Sequence, residues 1–338
     1  MQTTKNVLVE IEDLKVEFRL HEGTVHALEG VSLRIPQGRT LGVIGESGSG
    51  KSVTAQAIMG IIPSPPGKIV QGRVRLYLPE NGSERVVDVT ELPPNGAEIR
   101  QIRGKEISMI FQEPMTSFSP VHTIGDQIME AIRIHYPEVS KKEARERTIE
   151  MMRRVGIPRP EQRVDAYPFQ FSGGMRQRAM IAMALICHPR LVIADEPTTA
   201  LDVTIEAQIL ELLQDLQKEF GMSIMYISHD LTVVGGIADE VVVMYLGLVM
   251  EQAATDELFD NPLHPYTQAL WRSIPTIDGE LERLSPIRGA LPSPFAVHKG
   301  CPFYSRCEKR IPGVCEVSRP PMIEVRPNHW VRCFLYSE

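Results

Sequence analysis

Residues 40–52 of this chain read TLGVIGESGSGKS, and this stretch decides the fold. Residues 40–44 form a short apolar run, which is typical of a buried parallel strand. A glycine-rich octet, residues 45–52, follows directly, and the spacing of apolar side chains over residues 53–59 predicts a helix after it. A strand, a glycine-rich turn and a helix in this order predict a phosphate-binding loop in an α/β domain with a parallel sheet.

The octet has the composition that phosphate binding requires. Its glycines let backbone N–H groups turn toward phosphate oxygens, and the following helix presents the positive end of its dipole to the same charge. We expect Lys51 to reach the β- and γ-phosphates of a nucleotide and the Ser52 hydroxyl to ligate Mg²⁺. A glycine turn without a ligand is the alternative, and the strand and helix around the octet count against it. The octet residues are Gly45, Glu46, Ser47, Gly48, Ser49, Gly50, Lys51 and Ser52.

A second apolar run, residues 191–194, ends in the two carboxylates Asp195 and Glu196. A buried strand delivers such side chains to its carboxyl-terminal edge, where parallel sheets bind their ligands. We expect Asp195 to contact Mg²⁺ through water and Glu196 to polarise the attacking water as general base. Two solvated acids at a helix N-terminus are the alternative.

The remaining pattern predicts alternating helices and strands, and therefore a parallel sheet. Residues 7–35 and pieces of the turn-rich stretch 63–97 read as short strands, and residues 107–111 form another strand that leads to Gln112. Residues 124–134 and 141–155 have the apolar spacing of helices. After them the prediction is helix, strand, helix and strand over residues 172–187, 190–194, 203–219 and 223–227.

Composition excludes several classes of protein. With 338 residues and 43% hydrophobic side chains, the chain can bury a sizeable core. The net charge of −7 argues against a nucleic-acid surface. No apolar run approaches the roughly 20 residues that span a bilayer, and the N-terminus lacks the apolar core of a signal peptide. We therefore expect a cytoplasmic chain whose work at a membrane depends on partners.

The last part of the chain is rich in proline and cysteine. Residues 291–338 hold seven prolines and the four cysteines Cys301, Cys307, Cys315 and Cys333, without the Cys-x2-Cys knuckles typical of structural zinc. Four thiolates can hold either Zn²⁺ or an iron–sulfur cluster, and free thiols are a third possibility. We read this part as a loop-rich unit that its cysteines fasten. Cys187, alone in an apolar helix, is interpreted as an inert core residue.

Six motifs in order resemble the ATP-binding cassette of ABC transporters, over roughly residues 7–265: residues 45–52, Gln112, residues 171–175 (FSGGM), residues 191–196, residues 199–202 (TALD) and His229. The resemblance implies an ABC-type P-loop NTPase fold, with a RecA-like core, an antiparallel β subdomain and a helical subdomain at about residues 115–175. Residues 1–265 would form the ATPase domain, and residues 266–338 a small cysteine-rich C-terminal extension.

The same resemblance assigns roles to further residues. Gln112 would touch Mg²⁺ and the membrane subunit, and His229 would contact the γ-phosphate. Phe18 would stack on adenine, with a buried strand phenylalanine as the alternative, and Val53 joins the octet as a nucleotide-binding residue. Ser172, Gly173 and Gly174 would close over the γ-phosphate that another subunit holds, and Asp202 would carry signals across that interface. A helix cap formed by Ser172 is the alternative for the serine alone.

The segment FSGGM, residues 171–175, departs from the family's commonest form, which has Leu first and Gln last. Phe171 and Met175 stand there instead. Because the backbone donors and Ser172 remain, we expect an active ATPase when two cassettes pair.

Three further segments look like those of the ATP-binding subunits of dipeptide and oligopeptide permeases: residues 169–178 (FQFSGGMRQR), 261–267 (NPLHPYT) and 300–303 (GCPF). Some of these subunits carry a C-terminal [4Fe-4S] cluster, so the resemblance favours that cluster over Zn²⁺ at the four cysteines, in a structural role. It also implies three kinds of partner: a second ABC ATPase subunit of a different sequence, two transmembrane permease subunits and an extracytoplasmic solute-binding protein. The chain would then lie at the cytoplasmic face of the membrane.

Within this reading, residues 115–120 would help form a groove for a helix of the membrane subunit, with Met115 and Phe118 exposed. The alternative is that both side chains pack inside the helical subdomain. Relatives of this kind also import oligosaccharides or nickel chelates, and the sequence does not choose among these solutes. A soluble ABC ATPase of DNA repair or translation is disfavoured, because the chain lacks a long coiled coil and a second cassette. A non-catalytic iron–sulfur scaffold is disfavoured by Glu196 and His229.

Overall fold

The computed structural model describes residues 6–80, 82–112, 117–198, 202–273 and 287–337. These residues fall into two compact units. The first unit takes its residues from 1–35, 40–91 and 227–338, and the second from 36–39 and 92–226.

The strands, in chain order, are β1 (Val7–Leu20), β2 (Gly23–Pro36), β3 (Thr40–Ile44), β4 (Gly67–Glu80), β5 (Ser83–Asp88), β6 (Ile107–Ile110), β7 (Leu191–Asp195), β8 (Ser223–Ser228), β9 (Glu240–Tyr245), β10 (Leu248–Ala254), β11 (Ile323–Arg326) and β12 (His329–Val331). The helices are α1 (Lys51–Met59), α2 (Ala97–Ile102), α3 (Ile124–His135), α4 (Lys141–Arg154), α5 (Pro160–Arg163), α6 (Gly173–Leu185), α7 (Val203–Phe220), α8 (Leu231–Ile237), α9 (Thr255–Asp260) and α10 (Pro265–Arg272). None of the helices in these described stretches combines the length and the apolar character needed to cross a membrane.

An antiparallel sheet of the order β2-β1-β4-β5 belongs to the first unit. The sequence indicated only short strands here, whereas β1 and β4 each run for 14 residues. They pair from Val9 opposite Leu76 to Phe18 opposite Gly67, with register shifts around Lys15. This long ladder pairs residues that lie far apart in the chain, so the full extent of both strands depends on a pairing that a local sequence pattern does not show.

The first unit also contains the run β11-β12-β10-β9-β3. β3 is fully buried and pairs in parallel with β9, as its apolar sequence predicts. The last described stretch, residues 287–337, which we call the C-terminal segment, adds two strands that we did not predict. β12 pairs with β10 at Gln252 and Trp330, and β11 pairs with β12. Strands of three and four residues are too short to show a hydrophobic period.

An aromatic cluster packs the C-terminal segment against this run of strands. Phe303 is 2% exposed, and its ring lies 5.4 Å from that of Tyr245 and 5.3 Å from that of Tyr266. A smaller apolar cluster joins Leu263 to Val331 and Cys333. The segment that we read as loop-rich therefore shares a core with β9 and α10.

The second unit contains β6 and β7, which pair in parallel from Ile107 opposite Leu191 to Ile110 opposite Ala194. Helices α3, α4 and α5 lie in the chain between these strands, where the helical subdomain was predicted, and α4 packs against α3 and α6. Thr123 and Ser140 cap α3 and α4 by accepting hydrogen bonds from backbone N–H groups of the first turns.

One expectation for this unit was wrong. Phe118 is 5% exposed and does not offer an open apolar contact. Phe118 is buried because hydrogen bonds of the next residue hold the chain there. The Ser119 N–H donates to Gln127 Oε1 at 2.8 Å, and Gln127 Nε2 donates back to the Ser119 carbonyl at 3.1 Å. These bonds fix residues 118 and 119 against α3. Met115, the other side chain of that expectation, lies outside the described residues.

A buried charged pair ties β12 to β10. Nε2 of His329 lies 2.7 Å from Oε1 of Glu251, both side chains are fully buried, and His329 Nδ1 lies 3.3 Å from Glu257. Burial by itself lowers the pKa of His329, but the hydrogen bonds and charges of Glu251 and Glu257 outweigh it and raise that pKa. Protonation of His329 therefore stabilises this attachment.

The expected result is a stability that falls with rising pH. A folded-state pKa above the unfolded value of about 6.5 gives stabilisation that is complete below that value and is lost as the pH rises through the folded pKa. His329→Gln should remove this dependence. Unfolding midpoints of both proteins between about pH 6 and about pH 9 measure it, and a difference between them that stays constant with pH would contradict the assignment.

Packing of the aromatic cluster gives a second prediction. Phe303→Ala should lower the free energy of unfolding by about 3–5 kcal/mol, because it opens a cavity between two tyrosines. Val297→Ala, at a side chain of the same segment that is 68% exposed, is the control and should change little. Equal effects of the two substitutions in thermal unfolding would show that the segment is not part of the core.

Candidate active site

The predicted phosphate loop, residues 45–52, lies in the first unit between β3 and α1. Gly50 stands directly before α1 with φ 102°, and Gly45 has φ 150°. A Cβ on Gly45 would lie 2.2 Å from the carbonyl oxygen of Met244, so no other residue fits there without a shift of the backbone. The glycines therefore set the path of the loop.

The loop has the polar groups that phosphates require. Lys51 is 5% exposed, and its ammonium donates to the carbonyl oxygens of Gly45 at 2.6 Å and Glu46 at 3.2 Å. The Ser49 hydroxyl is buried and has no hydrogen-bond partner among the described residues. The first turn of α1 carries no acidic residue, so its positive dipole end is not neutralised. A buried cation, an unsatisfied hydroxyl and a helix N-terminus together fit a nucleotide phosphate.

Phe18 lines a cavity of about 270 Å³ beside this loop, with Gly48, Gly50 and Val53. Phe18 lies in β1, and its side chain is half-buried. Residues of the C-terminal segment between 293 and 298 line the same cavity. The cavity has an aromatic face where a nucleotide base could stack.

The second unit brings two of the predicted catalytic residues together. Gln112 Nε2 donates to Oε2 of Glu196 at 3.0 Å. Asp195 ends β7 and is buried, and Glu196 follows with φ 46°, a left-handed conformation that is uncommon for a residue other than glycine. Strained backbone of this kind is concentrated at functional sites.

Residues 171–175 place Ser172 at the start of α6, where its Oγ accepts a hydrogen bond from the Met175 N–H at 3.3 Å. The serine thus caps the helix, as the alternative reading held. A Cβ on Gly173 would meet none of the described residues within 4 Å, and the first turn of α6 has no acidic residue. The helix start therefore presents an accessible positive end to an anion from outside.

Two further predicted residues are exposed. His229 directly follows β8, and Asp202 directly precedes α7, whose side-chain cap it does not form. Thr199, Ala200 and Leu201, the rest of that motif, lie outside the described residues.

The four C-terminal cysteines Cys301, Cys307, Cys315 and Cys333 line one pocket, which we call the cysteine pocket. Burial, together with a smaller effect of neighbouring thiols, raises the pKa of Cys301 to about 12 and that of Cys333 to about 11. Across the described ranges, no three Cys, His, Asp or Glu side chains are arranged to hold a single metal ion. Cys187 is buried in the second unit, where desolvation raises its pKa to about 11, which agrees with an inert core residue.

Two contacts to the phosphate loop were not predicted. The Glu46 N–H donates to the Tyr266 hydroxyl at 3.0 Å, and Arg306 donates to both carboxylate oxygens of Glu46 at 2.6 and 3.0 Å. These residues lie 220 and 260 positions from Glu46 in the chain. A single sequence carries no signal for such pairs, although Tyr266 lies in the permease-like segment 261–267 and Arg306 precedes a cysteine.

Comparison with known proteins agrees with this arrangement. The family model of the ABC transporter matches residues 28–199, and the model of the oligopeptide/dipeptide transporter C-terminal region matches residues 250–315. The chain belongs to the ABC transporter family. The prediction of an ATP-binding subunit of the dipeptide/oligopeptide permease kind is thereby confirmed.

Curated relatives match this ABC subunit over nearly its full length. The oligopeptide transport ATP-binding protein AppD of Bacillus subtilis is 48% identical over 98% of both chains. The dipeptide transport ATP-binding protein DppD of the same organism is 45% identical, over 98% of this chain and 95% of its own.

Solved structures support the cassette fold. The ATP-binding cassette MJ0796, a dimer bound to ADP and Pi, aligns with a TM-score of 0.62 and 27% identity, over 73% of this chain and 98% of its own. CbiO1 of Clostridium perfringens, part of the transporter complex cbiONQ, aligns with a TM-score of 0.61 and 27% identity, over 76% of this chain and 92% of its own.

Glu196 provides the sharpest test of the catalytic assignment. Glu196→Gln keeps the size and a hydrogen-bonding group but removes the base, so ATP turnover should fall by about a hundredfold or more while ATP binding is retained. Glu219→Gln, at an exposed carboxylate at the end of α7, is the matched control. Phosphate release in the paired, active complex measures turnover, and an unchanged rate for Glu196→Gln would refute its role as general base.

Proposed function

We propose that this chain hydrolyses ATP to drive the import of di- and oligopeptides through membrane permease subunits. The match that carries the proposal extends over both the cassette and the C-terminal segment, to proteins named for oligopeptide and dipeptide transport. Import of oligosaccharides or nickel chelates by the same machine is the second candidate.

In the proposed reaction, a water molecule attacks the γ-phosphorus, Glu196 accepts the proton of that water, and ADP leaves with the electron pair of the broken P–O bond. In the first unit, Lys51 and the loop amides bind the phosphates, Phe18 stacks on adenine, and His229 contacts the γ-phosphate. Mg²⁺, when bound, neutralises charge on the β- and γ-phosphates. Its proposed ligands are the oxygens of Ser52, Gln112 and Asp195.

Two cassettes are needed for this reaction. The open N-terminus of α6, with Ser172, Gly173 and Gly174, would close over the γ-phosphate bound by a partner cassette, and Asp202 would contribute to the same interface. The dimer of MJ0796 bound to ADP and Pi supports such pairing in the family. We propose that the partner is a second ABC subunit of different sequence.

A membrane partner would dock on the second unit. Val121 and Phe169 are 73% and 70% exposed, and the ring of Phe169 stacks on that of Tyr167 at 5.7 Å. The stacked rings of Tyr167 and Phe169 form a small exposed apolar patch, which is a candidate contact site for a partner. This supports docking of a permease subunit, with the chain at the cytoplasmic face of the membrane and a solute-binding protein on the other side.

The cysteine pocket would hold a [4Fe-4S] cluster. The four cysteines line one pocket, so each thiolate could bind a different iron atom of one cluster. Bound iron would also favour the thiolate forms that burial disfavours.

The function is tested in liposomes that contain this chain, its permease partners and the solute-binding protein. Di- and oligopeptides should stimulate ATP hydrolysis and enter the lumen, and Glu196→Gln should abolish both. Stimulation by oligosaccharides or nickel chelates, with none by peptides, would overturn the choice of solute.

The cofactor is tested separately in anaerobically purified protein. We expect a brown protein with broad absorption near 400 nm and iron and sulfide in equal amounts, at about four of each per chain. Cys315→Ser should lose this absorption and Cys187→Ala should keep it. A colourless wild-type protein with one zinc per chain would refute the cluster.

A further inference from the structure

Two contacts from outside the octet fix part of the phosphate loop, one from the C-terminal segment and one from α10. Arg306 forms a two-pronged ion pair with the Glu46 carboxylate, at 2.6 and 3.0 Å, and the Tyr266 hydroxyl accepts the Glu46 N–H. Glu46 is the second residue of the glycine-rich octet, so these contacts fix both its backbone and its side chain. Within the octet, Lys51 and the Ser49 N–H donate to the Glu46 carbonyl oxygen, and the contacts of Arg306 and Tyr266 add a fixed carboxylate and a fixed N–H.

Arg306 is itself held in place. Its side chain is 4% exposed, and its guanidinium lies over the rings of Tyr245 and Phe303 at 5.8 and 5.9 Å. Its Nε donates to the Arg288 carbonyl at 3.2 Å. These neighbours restrict the orientation of the buried planar guanidinium, which pairs with both oxygens of the Glu46 carboxylate.

The cysteine pocket fixes the backbone of Arg306. Arg306 ends a short 3-10 helix, Tyr304–Arg306, and is followed directly by Cys307. The start of this helix is tied to the pocket, since the Tyr304 N–H donates to the Cys301 carbonyl at 3.0 Å and the Cys301 N–H donates to the Cys315 carbonyl at 2.7 Å. A change in the geometry of the pocket would therefore move Arg306.

Electrostatics gives Arg306 a second effect on the loop. A carboxylate in a loop that binds phosphates repels its ligand, and it does so more strongly when it is partly removed from water. The Glu46 side chain is 24% exposed, and the ion pair with Arg306 of the C-terminal segment offsets the negative charge of its carboxylate. Loss of the arginine would leave a negative charge free to turn toward the phosphates.

We propose that Arg306 is a positioning residue for ATP binding, which holds Glu46 away from the phosphates and makes the affinity for ATP depend on the integrity of the cysteine pocket. The C-terminal segment then has two roles: its cysteines order the segment, and its Arg306 supports the nucleotide site of the same chain. The inference rests on the proposed function in one respect, namely that ATP is the ligand of the phosphate loop.

Equilibrium binding of MgATP to the full-length chain, by calorimetry, tests the proposal. Arg306→Met should weaken binding by about tenfold, equivalent to about 1.4 kcal/mol, and Arg306→Lys should recover part of the loss because it keeps the charge. Glu46→Gln removes the carboxylate and serves as the background of a double-mutant cycle. In the Glu46→Gln background, Arg306→Met should have a much smaller effect, since no carboxylate remains to be neutralised.

Arg326→Met is the matched control. Arg326 also joins the C-terminal segment to the cassette, through an ion pair with Glu257 at 2.5 Å, but neither residue belongs to the phosphate loop. The Arg326→Met variant should bind MgATP with the affinity of wild type. Equal losses for Arg306→Met and Arg326→Met, wild-type affinity for Arg306→Met, or the same loss with and without Glu46→Gln would each overturn the proposal. Thermal unfolding of each variant establishes that it is folded.

A second double-mutant cycle tests whether the cysteine pocket acts on MgATP binding through Arg306. Cys307→Ser should weaken MgATP binding in the wild-type background but cause no further loss in the Arg306→Met background, whereas Cys187→Ala should have no effect in either. Additive losses from Cys307→Ser and Arg306→Met would overturn the link. If the wild-type chain bound no MgATP, the proposed function would fail, and that result is distinct from every outcome above.

Discussion

The backbone of residues 45–52 is the constraint on which the rest of the structure depends. Phosphate binding in a loop requires several N–H groups to face one point, and the positive φ angles of Gly45, Gly48 and Gly50 allow this. Lys51 orders part of this loop by donating to two of its carbonyl oxygens. Further order comes from its surroundings: β3 and α1 fix its ends, the Met244 carbonyl oxygen closes the space at Gly45, and Tyr266 and Arg306 fix Glu46.

This dependence explains why the C-terminal segment is built into the first unit. Phe303 and Tyr266 pack on β9 through Tyr245, and the strands β11 and β12 extend the run of strands at β10. The four cysteines lie among these elements, next to the arginine that reaches the phosphate loop. A cluster at the cysteines would thus order a stretch that has little apolar core of its own, and the nucleotide site would benefit from that order.

The sequence predicted the elements whose signal is local. The apolar runs of β3 and β7, the glycine octet and the acids after residue 194 are contiguous patterns, so their type and position could be read directly. The extent of β1 and β4 depends on a ladder between distant residues, and the burial of Phe118 depends on side-chain bonds to Gln127. The Arg306–Glu46 pair is the extreme case, because 260 residues separate its members and neither has a pattern that points to the other.

Hydrogen exchange of the phosphate loop tests most directly whether the C-terminal segment supports it. The amides of residues 45–51 would be followed without nucleotide in wild type and in Arg306→Met, with a peptide that covers β7 in the second unit as the internal reference. The account predicts faster exchange at residues 45–51 in Arg306→Met, with unchanged exchange in β7. Equal exchange of the loop in the two proteins would contradict it.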